Sequence, residues 1–144
     1  MYNPRLVPLV LAALLGLAAC HDDDESVPAE PAPEPITESG RFTLRSSGLE
    51  REYYVSLPAG YVPGGGNWPL LIALHGAGDS IEGWLPGGFQ GDGLLRATAD
   101  SAIMVIPNAR EVPEDNNRRK WDTGTETDYT FFLDLLAQLD QRIN

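Results

Sequence analysis

From residue 40 onward, apolar and polar positions alternate in blocks that change period. Arg41-Phe42-Thr43-Leu44-Arg45 alternates strictly, and Ser46-Ser47-Gly48 interrupts it. Glu52-Tyr53-Tyr54-Val55-Ser56-Leu57 then resumes with aromatic and β-branched residues. Two such runs about a short glycine-containing turn predict an antiparallel hairpin. A loop rich in Pro and Gly (58–67) leads to Pro69-Leu70-Leu71-Ile72-Ala73-Leu74. An unbroken apolar run of this length predicts a strand buried on both faces.

Beyond it lies His75-Gly76-Ala77-Gly78. Asp79 stands three residues before Glu82, which fits a capping box opening a short helix that Pro86 ends. Asp92 is a candidate cap for a second helix over 93–100, with Leu94, Leu95, Thr98 and Ala99 facing inward. Ala102-Ile103-Met104-Val105-Ile106 predicts another fully apolar strand, stopped by Pro107. Strand, helix and strand in that order predict a βαβ unit with parallel pairing. Residues 108–127 are polar and read as a loop, with Asp122 a loop hydrogen-bonder. Then Phe132, Leu135, Leu136, Leu139 and Ile143 recur at helical spacing, which predicts an amphipathic helix of about 15 residues capped by Asp128. The fold class is α/β.

The N-terminal part has a different character. Arg5 precedes an apolar run from Leu6 to Ala19 that ends in Leu17-Ala18-Ala19-Cys20. A short apolar core closed by small residues is a secretory signal, too short for a spanning helix. Residues 21–39 are acidic and proline-rich, with Asp22-Asp23-Asp24-Glu25 followed by Pro28, Pro31, Pro33 and Pro35. That composition predicts an extended, solvated tether rather than a packed element. A metal role for the acidic cluster is the alternative, but four carboxylates in a floppy segment are not preorganised. The organisation expected is therefore signal peptide 1–19, tether 20–39 and globular part 40–144.

Charge follows the same division. The tether holds seven of the 21 acids and no Lys or Arg, and the signal holds Arg5. The remaining 14 acids and 9 bases leave the globular part about −5, which argues against nucleic acid as a partner. Cys20 is the sole cysteine, so no intramolecular disulfide can form.

Leu-Ala-Ala-Cys resembles the bacterial lipobox, which implies acylation of Cys20; a plain signal with an incidental cysteine is the alternative. Lipidation would anchor the exported chain to a membrane at about 0.8 kcal/mol per buried CH₂. The order of the Tyr-Tyr-Val-Ser-Leu-Pro hairpin, the Leu-His-Gly-Ala-Gly turn, Ile-Met-Val-Ile-Pro, the Trp-Asp loop and the final helix resembles secreted α/β-hydrolases. The likeness is to the polyhydroxybutyrate depolymerase, feruloyl esterase and carboxylesterase type, over 40–144. It implies an incomplete α/β-hydrolase sheet, an ester or polyester substrate and no cofactor or metal. It also implies an oxyanion loop in which the Ala77 backbone N–H donates to the reacting carbonyl oxygen, Gly76 and Gly78 let the backbone approach, and His75 orients the loop. Trp84 and Trp121 are expected either to line a substrate pocket or to pack.

Such enzymes use a Ser-His-Asp triad with serine on a Gly-x-Ser-x-Gly elbow. No such elbow occurs among Ser26, Ser39, Ser46, Ser47, Ser56, Ser80 and Ser101, and the only histidines are His21 and His75. The resemblance therefore implies the N-terminal half of a hydrolase, inactive alone, with a missing C-terminal half as partner. A non-catalytic surface lipoprotein or binding module is the alternative. Nucleotide binding fits poorly, since Ile81 occupies the third glycine position of a dinucleotide fingerprint and no Gly-Lys-Ser/Thr is present.

Overall fold

The computed structural model describes residues 33–143. The expected signal, the lipobox at Cys20 and most of the tether lie outside the described residues.

The hairpin forms as β1 (Gly40–Ser46) and β2 (Leu49–Ser56), antiparallel, with Ser46 opposite Leu49. Only Ser47 and Gly48 connect them, at φ +49° and +77°. Positive φ at both positions matches the twist of the flanking strands, and Gly48 takes it without a Cβ penalty. β4 (Ile103–Pro107) is central and wholly buried. It pairs antiparallel with β2 and parallel with β3 (Leu70–Ile72), giving a mixed sheet of order β1-β2-β4-β3. The parallel pair of the expected βαβ unit is thus present.

Both faces of the sheet are covered. Tyr53, Val55, Ile103 and Val105 point one way and pack with Phe131, Leu135, Leu139 and Ile143 of α2 (Thr127–Ile143). Met104 and Ile106, of opposite parity, point the other way and pack with Ala73, Ile81, Trp84, Leu94 and Leu95. Leu94 and Leu95 belong to α1 (Gly93–Thr98).

Several expectations are corrected. The run at 69–74 is not buried on both faces. β3 is the sheet edge, and Leu70, Leu71 and Leu74 remain 37–49% exposed. Its apolarity belongs to a strand open on one side. Asp79 and Glu82 form no capping box. Ile81–Trp84 is a 3₁₀ turn; the Asp79 carboxylate accepts the Ser80 N–H, and Glu82 turns out to Arg41 and Ser80. Asp92 caps α1 without a side-chain hydrogen bond, and Ala99 is exposed rather than inward. The loop at 108–127 contains a small ribbon, β5 (Arg110–Val112) paired antiparallel with β6 (Arg118–Lys120). Its strands are polar because the ribbon stands clear of the core. In α2, Phe131 rather than Leu136 completes the buried stripe, because the helix begins earlier and its contact face is rotated.

The domain also begins before residue 40. Ile36, assigned to the tether, is buried in the α2-side core. Its N–H donates to the Arg142 carbonyl at 2.9 Å, and Arg142 Nε donates to the Glu34 carbonyl at 2.8 Å. One isoleucine in a proline-rich stretch is enough to pin the chain to the helix end.

Candidate functional site

Because β3 and β4 run parallel, the chain leaves both at the same end of the sheet. His75 follows β3 and Ala109 follows β4, and they meet there. The Ala109 N–H donates to His75 Nε2 at 3.0 Å. Nδ1 lies 2.8 Å from the Gly76 carbonyl. These partners assign the tautomer: Nε2 accepts, so the proton sits on Nδ1 and donates to Gly76. Both ring nitrogens of this buried imidazole are thus engaged, and neither is offered to a reacting group. The geometry gives His75 a loop-holding role.

Further ties hold the loop from the other side. Trp121 Nε1 donates to the His75 carbonyl at 2.8 Å, and the two rings lie 5.1 Å apart. The Gly78 N–H donates to the Arg119 carbonyl of β6 at 2.8 Å. The Asp79 N–H donates to the Gly76 carbonyl at 3.2 Å, closing a turn with Gly78 at φ +81°. A positive φ at the third residue of such a turn favours glycine. A Cβ there would come within 3.0 Å of Arg118 Nε and Nη2, so the guanidinium lies directly on the loop. The Ala77 N–H, at the exposed tip, has no acceptor among the described residues.

Gly76, Ala77, Gly78 and Asp79 form one wall of a cleft of ≈ 340 Å³, and Phe89 and Gln90 form the other. Phe89 is 93% exposed, yet its turn is well fixed. The Gln90 N–H donates to the Gly83 carbonyl at 2.7 Å, and Gln90 Nε2 to Asp79 Oδ2 at 3.3 Å. Gly87 and Gly91 take φ +85° and +70°, and Gly88 packs so tightly that a Cβ would meet the Glu82 carbonyl. Sequence reasoning missed Phe89. The available signal was a single aromatic within Pro86-Gly87-Gly88-Phe89-Gln90-Gly91.

The two tryptophans separate. Trp121 supports the loop from beneath, between His75 and Phe132. Trp84 packs in the Met104–Ile106 cluster and does not line the cleft. Asp122 is a loop hydrogen-bonder as expected: Oδ1 accepts the Gly124 and Thr125 N–H groups, and Oδ2 the Thr125 hydroxyl. The Thr125 hydroxyl, then the Gly124 and Thr125 amides and Arg110, hold its carboxyl below the usual carboxylate range. Asp128 does not cap α2. It is buried in the first helical turn, pairs with Arg51 at 2.7 Å and accepts the Asp122 N–H. The buried Arg51 carried no signal in the sequence, where it stands as an ordinary charge in an alternating strand.

No described serine is hydrogen-bonded to His75; Ser80, the nearest in sequence, donates to Glu82. Among the described residues no group of three or more His, Cys, Asp or Glu could hold a metal ion. No described helix is long and apolar enough to cross a membrane. No family model matches the chain, and no curated protein matches it. The arrangement offers the Ala77 backbone N–H, without an acceptor among the described residues, at the carboxyl end of a parallel strand pair, beside an exposed phenyl ring and a guanidinium.

Proposed function

We propose that this domain is the oxyanion-binding part of an α/β-hydrolase acting on carboxylic esters. The observation that carries the reading is the unpartnered Ala77 N–H, held at the tip of a braced glycine turn beyond β3 and β4. As a nucleophile adds to an ester carbonyl, negative charge builds on the carbonyl oxygen. A fixed dipole aimed there stabilises that charge without reorganising, typically by about 3–4 kcal/mol per donor. The tightness of the loop supports the reading, because a donor that must first be ordered stabilises the transition state less.

In this reading the nucleophile comes from a strand added beside β3. Ile103 N–H donates to the Pro69 carbonyl and Ala73 N–H to the Val105 carbonyl, so the odd-numbered residues of the run face β4. The backbone groups of Leu70, Ile72 and Leu74 therefore face the open edge. Exposed leucines at 70, 71 and 74, with Leu133 and Leu136 on α2, suit a further strand and helix. The proposed substrate is an ester or polyester with an apolar group against Phe89. Acylation at Cys20 would keep the exported protein at a membrane surface.

The test joins the chain to the segment encoded beyond codon 144 and follows hydrolysis of p-nitrophenyl butyrate. We expect a Gly-x-Ser-x-Gly elbow in that segment, serine-dependent turnover, and a drop of about 10²–10³-fold in kcat with Ala77→Pro, which deletes the N–H. Turnover insensitive to Ala77→Pro would refute the proposal, as would the absence of any elbow. The competing reading, a non-catalytic binding module on a lipoprotein, draws on the lack of a serine paired to His75. It predicts a soluble, cooperatively folding chain with no ester turnover in either form.

A further inference from the structure

Arg51 lies on β2, two strands from β3, with its side chain 3% exposed. Its guanidinium stacks on the Phe131 ring at 3.9 Å. Nη2 makes two contacts: an ion pair with Asp128 Oδ1 at 2.7 Å, and a hydrogen bond donated to the Asn108 carbonyl at 3.2 Å.

Each contact opens a path, and both paths end on His75. Beyond Asn108, the next residue, Ala109, donates its N–H to His75 Nε2. Beyond Asp128, the second carboxylate oxygen takes the Asp122 N–H; the preceding residue, Trp121, donates its indole N–H to the His75 carbonyl. One buried cation thus braces the ring and the backbone of the same residue. The first path is tied again at Asn108, whose Nδ2 donates to Glu52 at 2.7 Å and whose Oδ1 accepts the Ile81 N–H at 2.9 Å.

We infer that Arg51 is a positioning residue: with Asp128 it fixes the His75 loop and hence the direction of the Ala77 N–H. A buried ion pair is a poor device for stability alone, because desolvation consumes most of the Coulombic gain and apolar replacements often do as well. The hydrogen bond from Arg51 to the Asn108 carbonyl is charge-assisted and directional, and the Asp128 carboxylate holds the guanidinium in place for it, which suits the pair to fixing geometry. A donor displaced by about 1 Å loses much of its value at a reacting centre. The inference rests on the reading above for what the loop does, but its test does not use turnover.

Hydrogen exchange on the ¹⁵N-labelled chain separates bracing from general stability. The Trp121 indole N–H and the Ala109 amide report the two paths, and the Val105 amide reports the core sheet. In Arg51→Met both reporters should exchange about tenfold faster relative to Val105, the scale of one lost hydrogen bond. In Asp128→Asn only one of the two joints on the second path can survive. The Trp121 indole should then loosen while Ala109 keeps its protection. If Arg51→Met does not fold, Arg51→Lys supplies the same ratios, since an ammonium cannot reproduce the planar geometry. Reporter-to-Val105 ratios that stay at the wild-type value, or an equal response of both reporters to Asp128→Asn, would overturn the inference. Failure of the ester assay with intact, branch-specific exchange would instead remove the hydrolase reading and leave the brace standing.

Discussion

His75 Nε2 receives the backbone N–H of Ala109 at 3.0 Å, which stitches the end of β3 to the end of β4. Replacing His75 by Phe keeps the aromatic volume and strands that N–H in a buried place. We expect a loss of about 2–3 kcal/mol, from an unsatisfied donor plus the lost tie to Gly76. Urea denaturation gives the value, and an unchanged midpoint would contradict the assigned tautomer contacts.

Gly78 and Arg118 form a pair that a double-mutant cycle can resolve. Gly78→Ala should cost about 1–2 kcal/mol for a left-handed non-glycine residue, plus the clash with the guanidinium. Arg118→Ala should be nearly neutral alone and should recover only the clash. Full recovery, or none, would show that one of the two costs had been misassigned.

Phe89 and Gly88 should behave oppositely. Phe89→Ala removes an exposed ring and should leave stability within about 0.5 kcal/mol. On the proposed ester-hydrolase reading, the same change should raise KM for aryl esters more than for methyl esters. Gly88→Ala places a Cβ against the Glu82 main-chain carbonyl and must displace backbone, so it should lower the melting temperature clearly. Thermal scans with ester kinetics distinguish the two roles.

The open edge of β3 should promote self-association. Edge strands with exposed apolar side chains template pairing with other chains, and an edge lysine opposes it. Leu71→Lys with Leu74→Lys should shift size-exclusion and light-scattering profiles toward monomer. Association unaffected by both would place the sticky surface elsewhere.

Stability should fall at both ends of the pH scale. The Thr125 hydroxyl and loop amides depress the Asp122 carboxyl, the Ser80 hydroxyl and Arg41 depress Glu82 against opposing burial, and Lys120 depresses Asp115. Depressed carboxyls contribute stability above the unfolded value of about 4, and lose it as pH falls through the lower folded values. Burial raises the Tyr53 hydroxyl, against the opposing pull of Arg142. Its contribution is whole below about 10 and is lost as pH rises through the folded value. A urea midpoint flat from pH 5 to 9 and declining outside that window is expected. No acid-side decline would contradict the carboxylate contacts.

Much of the scaffold was legible because it depends on local periodicity. Alternation at 41–45 and 52–57 about Ser47-Gly48 favours a hairpin, and the apolar run at 103–106 reads as a strand, which the sheet then buries. Of the expected α2 stripe, Leu135, Leu139 and Ile143 are buried and Phe132 is partly buried, while Leu136 is exposed and Phe131 takes the inward place. The ribbon over 110–120 was not legible, since its strands are three residues of mostly charged side chains with no buried face to set a period. Ile36 looked like tether because its neighbours are proline and acid; only the packing of α2 reveals the socket it fills.

The sequence by itself determined that residues 75–78 turn sharply after a strand, because two glycines in four positions and a preceding apolar run allow little else. Tertiary structure decided what the turn presents. The acceptor for the Gly78 N–H and the donors to His75 come from Arg119, Ala109 and Trp121, more than thirty residues away, and no local pattern encodes those meetings. The edge position of β3 was likewise decided by tertiary pairing, since an apolar run has the same composition whether one neighbour is present or two.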